Sequence, residues 1–216
     1  STENKGALAQ ETITSRAFLK HLLTFDNVLP SIMAAKSYDH QTKKTLFDPK
    51  IYDESTGEWV RKPKKNQQPK PSYLEAYKTY LDQVSVDQDK STGYFHISAE
   101  HVSPVFAKEL LDLIIREVNE LLRDKDLRES SDAIAFLTSE ITKSSLISIK
   151  DAINQLVQSQ LETQMMAKIS TDYALKVIEP PFIPEKKSKP SRAIICIIGT
   201  MIGGILSLLW VLMRHY

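Results

Sequence analysis

The sequence predicts an α+β fold in which one very long helix sits among short helices and strands and is followed by a C-terminal transmembrane helix. Three observations carry that expectation. Between Pro104 and Pro180 neither Gly nor Pro intervenes, and apolar residues recur at threes and fours, the spacing of one helical face. Before that stretch, from Val84 to Ala99, the period changes to two, as strands require. At the end, Ala193 to Met213 reads AIICIIGTMIGGILSLLWVLM, 21 residues without a charge. At ~1.5 Å per helical residue that run reaches about 31 Å, the thickness of a bilayer's hydrocarbon core.

Composition narrows the function. The chain has 216 residues, and 28 Lys+Arg against 27 Asp+Glu give a net charge of +1, too balanced for a protein that grips nucleic acid through a basic face. A hydrophobic fraction of 42% with 25% charged residues excludes disorder as the dominant state. The single cysteine, Cys196, excludes an internal disulfide framework and a multi-cysteine zinc site.

The first elements are helical. Ala7 to Leu23 places Leu8, Ile13, Phe18, Leu19, Leu22 and Leu23 on one broad stripe. A short helix over Leu29 to Ser37 would use Pro30 in its first turn. Tyr38 to Ser72 then turns polar, with Pro49, Gly57, Pro63, Pro69 and Pro71, and reads as a loop excursion. Within it the basic run Arg61 to Lys65 beside Trp59 has the composition of a phosphate contact, although a solvated surface is the commoner use of such a run. Helix resumes at Ser72 to Gln83, where Ser72 and Glu75 have the spacing of a capping box.

The alternating residues Val84 and Val86, then Phe95, Ile97 and Ala99, flank DQDKSTG and predict a β-hairpin. Counted from Asp87, a calcium loop would need Gly at Thr92 and Glu at Ser98, so calcium is rejected. His96 and His101 fall on opposite faces of a strand end, a poor arrangement for shared metal ligation. From Ser103, a capping residue before Pro104, the pattern predicts one very long helix to about residue 170, or two that are nearly continuous. Unbroken, it would extend roughly 100 Å, so its apolar seam at Ile134, Leu137, Ile141, Ile149, Ile153 and Leu156 would need partners.

Ala174 to Glu179 (ALKVIE) reads as a strand, and Pro180, Pro181, Pro184 and Pro190 make residues 180–192 a stiff spacer. Inside the expected span, Gly199, Gly203 and Ser207 recur every four residues, a small-residue face that permits close helix packing. By charge alone, Lys186, Lys187, Lys189 and Arg192 on the near flank would place the large domain in the cytoplasm. That reading describes a tail-anchored cytoplasmic coiled-coil tethering protein. The hairpin, the ALKVIE strand and the four prolines speak against it, because they would interrupt a continuous coiled coil.

Three segments together resemble the Wzz-type polysaccharide co-polymerases, bacterial chain-length determinants of O-antigen and related surface polysaccharides. They are SRAFLKHLL at 15–23, TGYFHISAEHVSPVFAKELLDLII at 92–115, and YALKVIEPPFIPEKKSKPSR at 173–192 with the glycine-bearing run after it. The resemblance implies a membrane-proximal α/β base from which the long helix projects. It divides the chain into a periplasmic co-polymerase domain at 1–179, the spacer at 180–192, a transmembrane helix at 193–213 and a cytoplasmic tail at 214–216. It places the protein in the bacterial inner membrane, with an upstream first span missing before Ser1. The kinase-fused branch carries a GxxxxGK[ST] loop after its second span, and this sequence has none, so the resemblance is to the kinase-free class.

The function implied is regulation of polysaccharide chain length without catalysis. Its expected partners are further copies in a ring-like homo-oligomer, an integral membrane polymerase, the growing lipid-linked polysaccharide and membrane lipids, and no nucleic acid. No catalytic residue, cofactor or metal is expected, because no nucleophile–base pair, cleft of paired acids or metal constellation stands out. ALKVIE would pair with the Phe95–Ala99 strand in one sheet, in parallel if the helix serves as crossover.

Overall fold

A computed structural model describes residues 2–63, 67–143, 146–183 and 192–215, leaving aside the side chains of 2–4, 192–195, 206–209, 211–212 and 215. The chain divides into two units, Ser1–Phe182 and Ile183–Tyr216. The first opens with three short helices: α1 (Thr2–Ile13), α2 (Arg16–Leu22) and α3 (Val28–Ala34). The stripe expected over Ala7 to Leu23 is thus two helices. Ser15 ends the first and caps the second, its hydroxyl accepting the Phe18 N–H at 3.1 Å.

The stretch expected to be a loop excursion forms two hairpins. Strands β1 (Ala35–Asp39) and β2 (Lys44–Phe47) pair antiparallel, as do β3 (Tyr52–Asp53) and β4 (Glu58–Trp59). Helix α4 (Tyr73–Gln83) follows with the expected capping box: Ser72 Oγ accepts the Glu75 N–H and Glu75 Oε1 accepts the Ser72 N–H, both at 3.2 Å. The predicted hairpin is present as β5 (Val84–Gln88) and β6 (Phe95–Ala99). Gln10 of α1 caps one carbonyl of this ribbon, donating to Val86 O at 3.0 Å. Phe95 lies over Gly6 of α1 so closely that a Cβ there would strike the ring.

The turns of two hairpins share one sequence, Asp-x-Ser-Thr-Gly, at Asp53–Gly57 and Asp89–Gly93. In each the aspartate Oδ1 accepts the backbone N–H of the serine two residues on, at 2.9 Å and 2.7 Å. Each glycine sits at positive φ, +72° and +76°, and returns its N–H to the aspartate carbonyl at 2.8 Å and 2.7 Å. The Asp89 side chain is held down to about 2 by the Ser91 hydroxyl and amide. The carboxylate that resembled a calcium ligand is therefore a turn-forming group.

The long helical stretch is two helices, not one rod. Helix α5 (Pro104–Lys143) runs 40 residues, roughly 60 Å, and α6 (Ile147–Ile169) runs 23. They form an antiparallel hairpin, since Gln164 of α6 reaches Ser131 of α5, Nε2 to Oγ at 2.8 Å, while Tyr173 beyond α6 meets the earlier Asp126. Helix α5 ends at Lys143 and α6 begins at Ile147; residues 144–145 lie outside the described residues. Near the end of α5 a hydroxyl competes for a backbone group: Thr142 Oγ1 donates to Ser139 O at 2.7 Å.

One apolar core joins the first five helices. It includes Ile13, Phe18, Leu19 and Leu22, then Val28, Leu29 and Ile32, then Ala76 and Tyr80, and from α5 Phe106, Leu110, Ile114, Val118 and Leu122. Ala167 and Tyr173 close it from the α6 side. Burying each large side chain contributes about 1.5–3 kcal/mol. Two polar groups inside are satisfied by backbone. Tyr80 Oη donates to Ile13 O at 2.9 Å, and burial pushes its phenol up. His101 accepts the Ser103 N–H on Nδ1 at 3.0 Å and, as the neutral tautomer, donates from Nε2 to Ser31 O at 2.9 Å.

Three expectations are corrected. First, ALKVIE is not a strand: each of the three described sheets has two strands, and β6 pairs with β5 alone. The physical reason is that the side chain of Asn119 takes the hydrogen bonds a neighbouring strand would have made, as set out below. The expected α/β base is accordingly a helical core with three separate antiparallel hairpins. Second, the C-terminal transmembrane helix is not shown: among the described residues no helix is long and apolar enough to cross a membrane. The second unit holds α7 (Arg192–His215), 24 residues with Ile197, Met201, Ile205 and Trp210 exposed. Third, the expected placement in the inner membrane with the main domain periplasmic is not supported, because it required a helix able to cross a membrane and none is found among the described residues.

Candidate functional site: a helical hairpin clasped at its base

Of the three buried polar residues of α5, Glu117, Asn119 and Ser130, the first two bind other parts of the chain. Glu117 is buried. Its carboxylate accepts from His21 Nε2 on α2 at 2.7 Å and from Arg116 Nε at 2.9 Å. Phe25 backs both partners, with its ring edge-on to His21 at 5.6 Å and beneath Arg116 at 5.7 Å. A buried carboxylate left alone would be costly, so two donors and an aromatic wall are what this position requires.

Asn119, also buried, clasps the segment that follows α6. Its Oδ1 accepts the N–H groups of Ala174 and Leu175 at 2.7 and 2.8 Å, and its Nδ2 donates to Leu175 O at 3.1 Å. One amide side chain thus pairs with the backbone as a short strand would, using nearly all its capacity. Two turns further along α5, Asp126 accepts the Tyr173 hydroxyl at 2.6 Å, and Lys5 of α1 stands 3.6 Å from that carboxylate and 3.5 Å from the Tyr173 ring centroid. Burial and the Asp126 carboxylate push the Tyr173 phenol up, so it remains a donor.

Beside the clasp, α5 and residues 171–181 enclose a cleft of about 320 Å³. Asp112, Arg116, Asn119, Glu120 and Arg123 line one wall, and Thr171, Asp172, Val177, Pro180 and Pro181 the other. Two of the four spacer prolines therefore belong to the clasped base, while Pro184 and Pro190 lie outside the described residues. The basic run is used structurally at its first residue: Arg61 donates from Nε to Pro69 O at 2.6 Å and pairs with Glu75 at 2.8 Å. Among the described residues no group of three or more His, Cys, Asp or Glu is arranged to hold a metal ion.

The expected seam residues separate into two groups. Ile134, Leu137, Ile141 and Ile153 are half-buried where α5 and α6 pack, whereas Ile149 and Leu156 remain 43% and 53% exposed. Further exposed apolar side chains follow on α6: Leu161, Met165, Met166 and Ile169. Gly199 and Gly203 lie on α7 with open space where a Cβ would point, and the side chain of Ser207 is outside the description. The sequence reading missed Glu117, Asn119 and Tyr173. For Glu117 a signal existed, because it stands seven residues after Leu110, on the apolar stripe, where a solvated acid has no place.

Residues 148–216 match a family described as a G-rich domain on putative tyrosine kinase. The match begins within α6, takes in the clasped segment and continues through α7, roughly a third of the chain. No curated protein sequence matches the chain. The chain is therefore similar, over its last third, to a domain that accompanies a kinase.

Proposed function

We propose that this chain is a non-catalytic scaffold that regulates the length of a bacterial surface polysaccharide, acting as a homo-oligomer beside the polymerase that elongates it. The G-rich domain it matches over 148–216 is linked to polysaccharide export and chain-length machinery, and is itself a non-catalytic domain associated with tyrosine kinases. That match is the observation that carries the proposal. The hairpin supports the oligomeric part, because Ile149 and Leu156, seven residues apart on one face of α6, are apolar side chains that the protomer leaves exposed.

The experiment expresses the chain, with whatever its gene encodes upstream, in a strain lacking its own chain-length regulator. The polysaccharide is then resolved on a gel. A modal band in place of a monotonic ladder is the expected result. Leu156→Asp should lower the native mass in analytical ultracentrifugation and broaden the band, since a charge is expensive at a closed apolar contact. A ladder indistinguishable from the empty strain, at normal protein level, would defeat the reading.

A further inference from the structure

The two hairpins of residues 35–59 form a cleft that the scaffold role leaves unused. Its volume is about 510 Å³, and its walls are Phe47, Pro49, Tyr52, Val60, Asp53 and Glu54. The size lies within the ~300–1,000 Å³ of small-molecule sites. The aromatic side chains are fixed: the Tyr52 ring stands 5.5 Å from Phe47 at 72°, and 5.1 Å from Trp59 at 56°. Val60 is 47% exposed and Glu54 is exposed, so the apolar wall and a carboxylate face solvent together. The Asp53 carboxylate, on the residue after Tyr52, is oriented by the Ser55 amide at 2.9 Å and hydroxyl at 2.6 Å.

We infer that this cleft binds a neutral glycan, one sugar ring resting on Tyr52 and its hydroxyls donating to the carboxylates of Glu54 and Asp53. A pyranose has a face of C–H bonds, weakly positive, that suits the negative face of an aromatic ring, and a rim of hydroxyls that needs acceptors in the ring's plane. The cleft offers both from three consecutive residues, Tyr52 and Asp53 of β3 and Glu54 just after it. Two carboxylates at the mouth disfavour an anionic sugar. Clamping by Phe47 and Trp59 holds the platform before the ligand arrives, which reduces the ordering cost of binding. The choice of a glycan over another ring-bearing ligand rests on the polysaccharide reading above.

The test uses the full chain with three probes: maltohexaose, isomaltohexaose and chitohexaose. Binding is followed by saturation-transfer NMR of the sugar protons and by Trp59 fluorescence. At least one probe should give a saturable response, weakened about tenfold in Tyr52→Ala and a few-fold in Glu54→Gln. Tyr52→Phe keeps the ring and the packing and should bind within about threefold of the parent, which separates loss of the platform from loss of the fold. Phe136→Ala, on the distant exposed face of α5, should bind as the parent does. No saturable response to any probe overturns the inference, as does a response unchanged in Tyr52→Ala, or binding of a proline-rich decapeptide with none of the sugars. Absence of sugar binding alongside a normal modal band would sink only this site, and sugar binding without a modal band would sink only the scaffold reading.

Discussion

The two halves of α5 share one sequence period but live in different surroundings. In the near half, Leu110, Ile114, Val118 and Leu122 are enclosed by a core drawn from five other helices, and the polar exceptions Glu117 and Asn119 each have assigned partners. In the far half, Ile134, Leu137 and Ile141 are half-buried against the returning α6, and Phe136 is 64% exposed. Ion pairs there, such as Lys143–Glu140 at 2.6 Å, are local and solvated. The contrast teaches that helical periodicity reports which face is apolar and says nothing about what covers it. The near half is covered by the fold itself; the far half is covered by one neighbour and leaves an apolar remainder.

The largest expected effect comes from breaking the near half. Ile114→Ala empties a fully buried site and should lower stability by about 3 kcal/mol in urea unfolding. Leu156→Ala, on the exposed side of the far hairpin, should cost less than about 1 kcal/mol in the monomer. Equal losses for the two would erase the distinction between the halves.

Next in size is the clasp. Asn119→Ala strands two N–H groups and a carbonyl, and should cost about 2 kcal/mol. The signature that sharpens the comparison is local: the Ala174 and Leu175 amides should lose hydrogen-exchange protection while the β5–β6 amides keep theirs. Uniform loss across both regions would show that the clasp is not a separable feature.

The smallest effect belongs to the turns. Asp89 has its carboxyl held at about 2, below the ordinary 3.8, by bonds from Ser91. A depressed folded value means the contribution is fully present above the unfolded value and is lost as pH falls from near 4 through 2. The Asp89 carboxyl carbon should therefore titrate by NMR with a midpoint at about 2, and Asp89→Asn should remove that step without disturbing β5–β6 pairing. A midpoint near 4 would mean the turn bonds do not favour the ionised form.

Much of the near half was legible in the sequence. Ser72 and Glu75 announced a capping box by spacing alone, and Val84–Ala99 announced a hairpin by period and turn residues. The hairpin of α5 and α6 was not legible, because a seam of threes and fours is the same in a straight rod and in a rod folded back, and neither Gly nor Pro stands between the two helices. The clasp was hidden for another reason: a single amide on an apolar helix names no partner 55 residues away. The turn at Asp53–Gly57 could have been read, since it repeats the Asp89–Gly93 sequence, but the surrounding prolines suggested irregular chain. Its recognition would have exposed the aromatic cleft, the one candidate site that depends on those two hairpins.

The clasp also orders events in time. Asn119 and Leu175 are separated by 56 residues, and a loop of that length closes slowly if its ends must find each other by diffusion. The reversal of α5 into α6 removes that search, because a helical hairpin grows from local contacts and carries Leu175 back alongside Asn119. The expected order puts the clasp among the last contacts to form and the first to open. Asn119→Ala should accordingly speed unfolding in a chevron experiment while leaving the refolding limb almost unmoved.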